Sequence, residues 1–498
     1  MEKTHTQGSS IQPTLPERFE KMTETAKNVK NQSSTPKIQK VIFLLRDNDK
    51  DLVKYYEPRV VSLGPIHYRN PKYQLGEKYK FVLACEFIEA SGKTKEEVYN
   101  KIKEKIDELR KCFEEEVTKE YDDEELTWLL FVDGCAILQF IYCTANDDEF
   151  EGLNIKNDSV AFGHQDLLLL ENQLPYRLLK WLMSLSEKKK ELEKSIEDFI
   201  KVHHQVPDDQ QSCFLDWCCL KWLPSFLWKR SKRRQEEFEK KESSLSRNKP
   251  QEQTISVEGE PIHLLDLLRT RFLANHDGQR VPKINRKKRK ELNWQSYRNV
   301  QELQAAGIHL KRSQNSCLSL CDLSFTTLFW CFGFLWLPPL IVDDSTGPKF
   351  FNLIAYEMCP DFHNDYEVSS YISFLDSLID EVNDVKELRK AGVLYNLLGS
   401  DQEVAELFNE IGTDLVPNTQ IYSYVRSEIQ KYYKNKCLTW ITQALHEHFS
   451  SPWTIIAFLG ALLALALTVV QTWYTVDSPP GPCEDTCKNL TRILTSKR

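Results

Sequence analysis

One stretch limits what this chain can fold into more than any other: PWTIIAFLGALLALALTVVQTWYTV, Pro452–Val476, 25 residues without a charged side chain. A helix rises about 1.5 Å per residue, so the twenty steps from Trp453 to Trp473 cover roughly 30 Å, the thickness of a bilayer's hydrocarbon core. Trp453 then falls at one membrane interface and Trp473 with Tyr474 at the other, the layer that indole and phenol rings prefer. The competing reading is the central helix of a soluble bundle, but such helices rarely stay uncharged beyond roughly 18 residues. The stretch reads as a single membrane-spanning helix whose partner is the lipid bilayer.

A chain of 498 residues exceeds what one hydrophobic core usually serves, which leaves one large or two ordinary domains plus tails. Its net charge of −8 and pI near 5.9 argue against a nucleic acid partner. The opening residues, MEKTHTQGSSIQPTLPERFEK, have no basic start followed by an apolar run, so no secretory signal is expected and the body is placed in the cytosol. Charge bias does not set the orientation, because Lys434, Lys436, Lys488 and Arg492 flank the span evenly, and the membrane is either plasma membrane or endomembrane. Cysteine usage agrees: Cys85, Cys135, Cys143 and Cys331 sit in apolar surroundings, where free thiols behave as small hydrophobes. Cys483 and Cys487 follow the span, and on its far side they could pair with each other or with a partner. Asn489 opens an Asn-Leu-Thr glycosylation sequon that has meaning on that same side.

Residues 1–36 are polar and expected to be disordered. A helical body follows over residues 37–430, then a juxtamembrane segment 431–451, the span 452–476 and a short outer tail 477–498. Near the start of the body, Pro58 and Gly64-Pro65 bracket the apolar run 59–63, an extended segment entering a turn with His67 and Tyr68 at its exit. Over residues 76–120, Val98, Ile102, Ile106, Leu109 and Phe113 recur at helical spacing, with Lys101, Lys105, Glu108 and Lys111 on the wet face. Two apolar helices are expected at 126–142 and 166–182, the second kinked or restarted at Pro175. Both carry polar residues: Asp133 in the first, and Glu171, Asn172 and Gln173 in the second. A buried carboxylate is costly unless paired, so these groups should hold helix ends or cross-links together.

Farther on, residues 230–260 form a charged stretch expected to be a disordered insertion. The basic runs KRSKRR (229–234) and RKKRK (286–290) read first as solvated loops. Residues 323–342 are uncharged and long enough to span, yet Ser324, Thr326, Thr327, Pro338-Pro339 and the aromatic content favour strands. Two helices follow between 370 and 411, the second opened by Ser400 as N-cap with Glu403 three residues on. Tyr432, Tyr433 and Trp440 are available to lie at the membrane surface.

Several blocks together resemble the plant family defined by domain of unknown function 247: EPRVVSLGPIHY, LLFVDGCAIL, DLLLLENQLPYRLL, HLLDLLR, PPLIVDDSTGPKFFNLIAYE and LGSDQEVAELFNEI, closed by the apolar span. They occur in the family's order between about residues 38 and 476. The resemblance implies a plant source, a mainly α fold with a small amount of strand, a C-terminal membrane span and no established enzyme activity. It also implies a link, through some grass members, to self-incompatibility recognition.

The chemistry-bearing motifs are missing. The chain has no Gly-x-Ser-x-Gly, His-Glu-x-x-His or Gly-x-Gly-x-x-Gly, and no Cys-x-x-Cys with zinc spacing. Ser91-Gly92-Lys93-Thr94 ends like a phosphate-binding loop, but Phe87 stands where that loop needs its first glycine. His203-His204 and His446-x-His448 lack cysteine partners, and Asp343-Asp344 reads as a helix cap before a cation site. No catalytic, cofactor-binding or metal residue is therefore assigned, and no cofactor is expected. Two functions follow: a membrane-anchored component that binds other proteins in recognition or signalling, or a hydrolase or transferase built from His67, Asp133, Glu171 and Asp343. Only convergence of those four groups in one pocket would favour the second.

Overall fold

The structure, a computed structural model, describes residues 14–31, 35–46, 52–146, 150, 152–203, 260–273, 299–313, 319–320, 322–328, 332–363, 365–433, 452–476 and 482–496. The charged insertion 230–260 up to residue 259, both basic runs, Cys331, Trp440, and His446 with His448 lie outside the described residues. The helices in the first half are α1 (Leu15–Asn31), α2 (Phe43–Arg46), α3 (Gln74–Ser91), α4 (Lys95–Lys103), α5 (Ile106–Arg110), α6 (Glu115–Thr118), α7 (Asp123–Ala145), α8 (Asn157–Asp166), α9 (Tyr176–Leu185) and α10 (Lys189–Val202). After α11 (Leu264–Leu273) and α12 (Val300–Ala305) come β1 (Ile308–Arg312), β2 (Ser324–Leu328), β3 (Phe332–Leu337) and β4 (Leu340–Val342). The chain ends with α13 (Thr346–Glu357), α14 (Glu367–Asp376), α15 (Val382–Lys390), β5 (Leu394–Asn396), α16 (Asp401–Gly412), α17 (Ser423–Tyr433), α18 (Pro452–Val476) and α19 (Pro482–Thr495). The fold is mainly α with a small amount of strand.

The body is organised around α7. Asp122 caps its first turn by accepting from the Glu125 amide, and the helix is then buried almost all round, from Leu126 to Cys143. Helices α3, α4, α9 and α10 pack on it. Gly134 lets α9 come close, since a Cβ there would sit 2.7 Å from Leu182 Cδ1. Helix α7 is as long and apolar as a membrane span, but 89% of its most apolar window is covered by protein. In α18 the corresponding figure is 0%. Two helices that both meet the dimensions of a span therefore serve opposite ends, a core axis in one case and an exposed apolar rod in the other.

Residues 323–342 form strands. Strand β3 pairs parallel with β1 and antiparallel with β2, in register Leu310 with Leu335 and Thr326 with Phe334. Alternate residues of β3 are buried, Gly333, Leu335 and Leu337, which is the period of a half-buried strand. A short parallel pair, β4 with β5, joins the sheet region to the C-terminal helices.

Four expectations need correction. Part of the tail expected to be disordered, Leu15–Asn31, is helical: the amide of Thr14 donates to the Glu17 carboxylate at 2.7 Å and seals the N-terminus. The helix expected over 166–182 with a kink or restart at Pro175 does restart there, but between Asp166 and Pro175 only Leu170–Asn172 closes as a 3-10 turn, because Asn172 and Gln173 turn their side chains onto nearby carbonyls. The amphipathic run through Val98 and Phe113 is divided into α4 and α5, although its apolar residues are all buried as expected. Tyr432 is 5% exposed and its hydroxyl donates to the Gly307 carbonyl, so it belongs to the core and not to a membrane surface.

Helix α3 can lie over the 59–64 segment only because of Gly76: a Cβ there would overlap the Val60 carbonyl oxygen and sit 3.0 Å from Val61 Cα. Both obstacles are backbone. Gly76→Ala should therefore cost about 1–3 kcal/mol of stability, read as a lower urea midpoint with an unchanged slope.

Candidate functional site

The polar residues inside the body converge on one stretch of backbone. Residues 59–64 belong to no helix or strand, with Ser62, Leu63 and Gly64 buried. A buried backbone without a ladder must find its hydrogen bonds elsewhere. Asp166, the last residue of α8, accepts from the amides of Arg59, Val60 and Val61 at 2.8, 2.8 and 2.9 Å. Asn172 accepts from the Leu63 amide at 2.6 Å and donates to the carbonyls of Val61 and Asp166. Asp133, at the centre of α7, accepts from the Gly64 amide at 2.8 Å. From α3, Lys80 donates to the Ser62 carbonyl at 2.8 Å and pairs with Asp133 and Glu77, each at 2.6 Å. Burial alone would lower the affinity of Lys80 for its proton; Asp133 and Glu77 outweigh it and hold the ammonium charged. Gly64 itself is in the left-handed region, φ +70, with the Gln173 carbonyl 2.9 Å from where a Cβ would stand.

Glu171 closes the arrangement on the side of α2. It is buried and receives the Val41 amide at 2.9 Å and the Arg46 guanidinium at 2.8 and 2.9 Å. His67 Nε2 sits 2.9 Å from its other oxygen, off the line of a well-aligned hydrogen bond. Burial pushes the Glu171 carboxyl up, but His67, Arg46 and the Val41 amide together hold it below the ordinary glutamate range.

A second polar centre lies along α13. Glu357 is 1% exposed and receives Arg269 through Nε and a terminal nitrogen at 3.0 and 2.8 Å, then the amides of Val368 and Ser369 at the start of α14, each at 2.9 Å. Arg269 also reaches Asp365 at 2.6 Å. Asn352, on the same helix, accepts from the Leu170 amide and donates to the Tyr55 carbonyl, so α13 is tied to the clamp around 59–64. His263 is wholly buried; its Nδ1 accepts from the Asp266 amide at 3.0 Å, and burial lowers its pKa to about 4.

Of the four residues singled out as candidate chemistry, three border residues 59–68 and one does not. Asp133 and Glu171 hold backbone and neighbouring cations, and His67 rests on Glu171. Asp343 is elsewhere, at the start of α13, where its Oδ1 accepts from the Ser345 amide and hydroxyl and the Thr346 hydroxyl. Ser91 to Thr94 is a helix junction: Gly92, at φ +70, ends α3, and Thr94 with Glu97 makes the capping box of α4. Ser400 caps α16 through the Glu403 amide, as its spacing predicts. Residue reading missed Lys80, Asp166, Arg269 and Glu357. For Lys80 a signal existed, since it shares helical spacing with Gly76, Leu83, Ala84 and Phe87 on the buried stripe. At the C-terminal end, Trp473 and Tyr474 are exposed on α18, and Cys487 and Asn489 are exposed on α19. The side chains of Trp453 and Cys483 lie outside the described residues.

A family model described as "plant protein of unknown function" matches residues 38–467. The chain belongs to that family, domain of unknown function 247. Among curated proteins it is 26% identical to the UPF0481 protein At3g47200 of Arabidopsis thaliana, over 84% of this chain and 82% of that protein. It is 22% identical to the UPF0481 protein At3g02645 of the same plant, over 85% of this chain and 87% of that one. No solved structure matches. The blocks that carry the family resemblance are also those that build the polar centres: EPRVVSLGP is the clamped segment, DLLLLENQLP brings Asp166, Glu171 and Asn172, HLLDLLR brings His263 and Arg269, and the segment through FFNLIAYE brings Asn352 and Glu357.

Two outcomes test this geometry. Asp133→Ala leaves the Lys80 ammonium buried with a lost partner and the Gly64 amide unpaired, and should cost about 3–5 kcal/mol; Asp133→Asn, which keeps an acceptor for Gly64, should cost less. Both are read by denaturant unfolding of the detergent-solubilised chain. His263 is held neutral, so its contribution is complete above the ordinary histidine pKa of about 6.5 and is lost as pH falls from there through about 4. His263→Asn, whose side-chain oxygen can accept from the Asp266 amide, should flatten the stability profile in that window by on the order of 3 kcal/mol and leave it unchanged above pH 7.

Proposed function

We propose that the chain is a membrane-anchored protein whose cytosolic helical body binds other proteins in recognition or signalling. In this reading α18 crosses the bilayer once, the body faces the cytosol, and α19 with Cys487 and Asn489 faces the lumen or the outside. The observation that carries the interaction reading is the use made of the buried acids and bases: Asp133, Asp166, Glu171 and Glu357 each hold backbone amides or a cation in place, so the groups that would have served a reaction serve the fold. Anchoring is supported by α18, whose described residues are exposed along their whole length and carry no charge. Recognition of the self-incompatibility kind, implied by likeness to some grass members, is one form such a partner contact takes.

Proximity labelling in plant membranes tests both halves. The full chain should resist carbonate extraction and enrich a reproducible set of proteins over a control that joins 452–498 to an unrelated cytosolic domain. Deleting 452–476 should release the protein to the soluble fraction. An enriched set identical to that of the control would overturn the interaction reading, and carbonate release of the full chain would overturn the anchor.

A further inference from the structure

Ahead of the residues that the family model matches lies α1, and every residue from Leu15 to Lys27 is exposed. Its exposed residues are not random. At about 100° per residue, Leu15, Phe19, Met22 and Ala26 fall within an arc of roughly 60°. Three of these are large and open to solvent, Leu15 at 63%, Phe19 at 57% and Met22 at 63%. Arg18 and Lys27 stand on either side of that face, Lys21 and Glu20 lie farther round, about 130° from its centre on opposite sides, and Glu17 and Glu24 lie nearly opposite it.

A second feature makes the face wider than its apolar residues. Thr23 and Thr25 border it on either side, and their hydroxyls donate back to the carbonyls of Phe19 and Lys21 at 2.9 and 2.7 Å. Those donors are already satisfied inside the helix, so covering them with an apolar medium strands none of them. Cations on either side of the face, Arg18 and Lys27, and acids opposite it, Glu17 and Glu24, match a surface whose interior is hydrocarbon and whose rim is anionic.

We propose that α1 lies in the plane of an anionic membrane surface, with Leu15, Phe19, Met22 and Ala26 sunk to the level of the acyl chains and Arg18 and Lys27 among the headgroups. The proposal rests on the anchoring reading and extends it: the body is then held to its membrane through α18 and again through α1. A second copy of the chain is the other occupant to consider, since 15, 19, 22 and 26 also have coiled-coil spacing. That seam covers only about two heptads where three or four are needed. The positions beside it, Arg18, Thr23 and Thr25, offer no complementary charges to set a pair.

The test uses the full chain, one copy per nanodisc, in phosphatidylcholine alone or mixed with phosphatidylserine. A genetically encoded fluorescent amino acid is placed at Met22, at Glu24 or at Val469, and lipids brominated on the acyl chain act as quencher. Position 469 reports on the anchor by itself. In anionic discs, position 22 should be quenched several times more strongly than position 24; the difference should shrink in neutral discs and vanish in Phe19→Glu with 469 still quenched. Quenching at 469 with none at 22 would overturn the proposal and leave the anchor standing. No quenching at 469 would remove the anchor, and the proposal with it. Equal quenching at 22 in neutral and anionic discs would overturn the role of the basic flanks, and burial of 22 seen only when two copies share a disc would assign the face to self-pairing.

Discussion

The fold depends on satisfying one buried length of backbone that has no strand to pair with. Residues 59–64 pass beside α3, α7 and α8 with their later part, Ser62 to Gly64, buried, and there each unpaired amide costs about as much as a lost hydrogen bond. The protein answers with side chains brought from distant parts of the chain: Asp166 for three amides, Asn172 for one amide and one carbonyl, Asp133 for another amide and Lys80 for another carbonyl. Each is available only once its own helix is in position. The clamp therefore couples helix packing to the path of the loop, and Gly64 and Gly76 are required because the backbones come too close for a side chain.

The same logic governs the second half. Glu357 receives a guanidinium and the first amides of α14, so a single carboxylate neutralises Arg269 and satisfies a helix N-terminus, where anionic groups are favoured. Asn352 joins this half to the first. Buried ionisable groups with shifted proton affinity often mark active sites, but structural ion-pair networks shift them as well. Here Asp133, Asp166, Glu171 and Glu357 are turned onto backbone and onto neighbouring cations, which is the arrangement of a scaffold.

Helices α7 and α18 show why apolar length is a weak guide taken alone. Both satisfy the dimensions of a membrane span. Asp133 separates them in chemical terms: a carboxylate in mid-helix is tolerable in α7 because Lys80 and the Gly64 amide are waiting for it, whereas α18 has no charge that needs such a partner. Among the polar side chains of α18, the hydroxyls of Thr468, Thr472 and Thr475 donate to carbonyls one turn back, and Gln471, Trp473 and Tyr474 stand near its C-terminal end. A helix arranged in this way carries no charge that needs a partner in protein.

Much was determined by the amino-acid sequence alone. Local patterns mark the apolar helix at Pro452–Val476, the helix at 126–142, the cap at Ser400, the buried face through Val98 and Leu109, and the family blocks, because periodicity and capping act within a few residues and survive in one dimension. The strand assignment of 323–342 was legible for the same reason, through its turn residues and β-branched and aromatic content. Only tertiary structure decided what the polar residues do. Asp166, Lys80, Arg269 and Glu357 look in sequence like ordinary charges, and their partners lie 107, 53, 88 and 11 residues away. It also decided that 166–175 leaves the helix to turn its side chains inward, that Tyr432 points into the core, and that one apolar helix is covered while the other stays bare. The physical reason is that burial and hydrogen-bond partnership are properties of a place in space, and a place is shared by segments that the sequence keeps far apart.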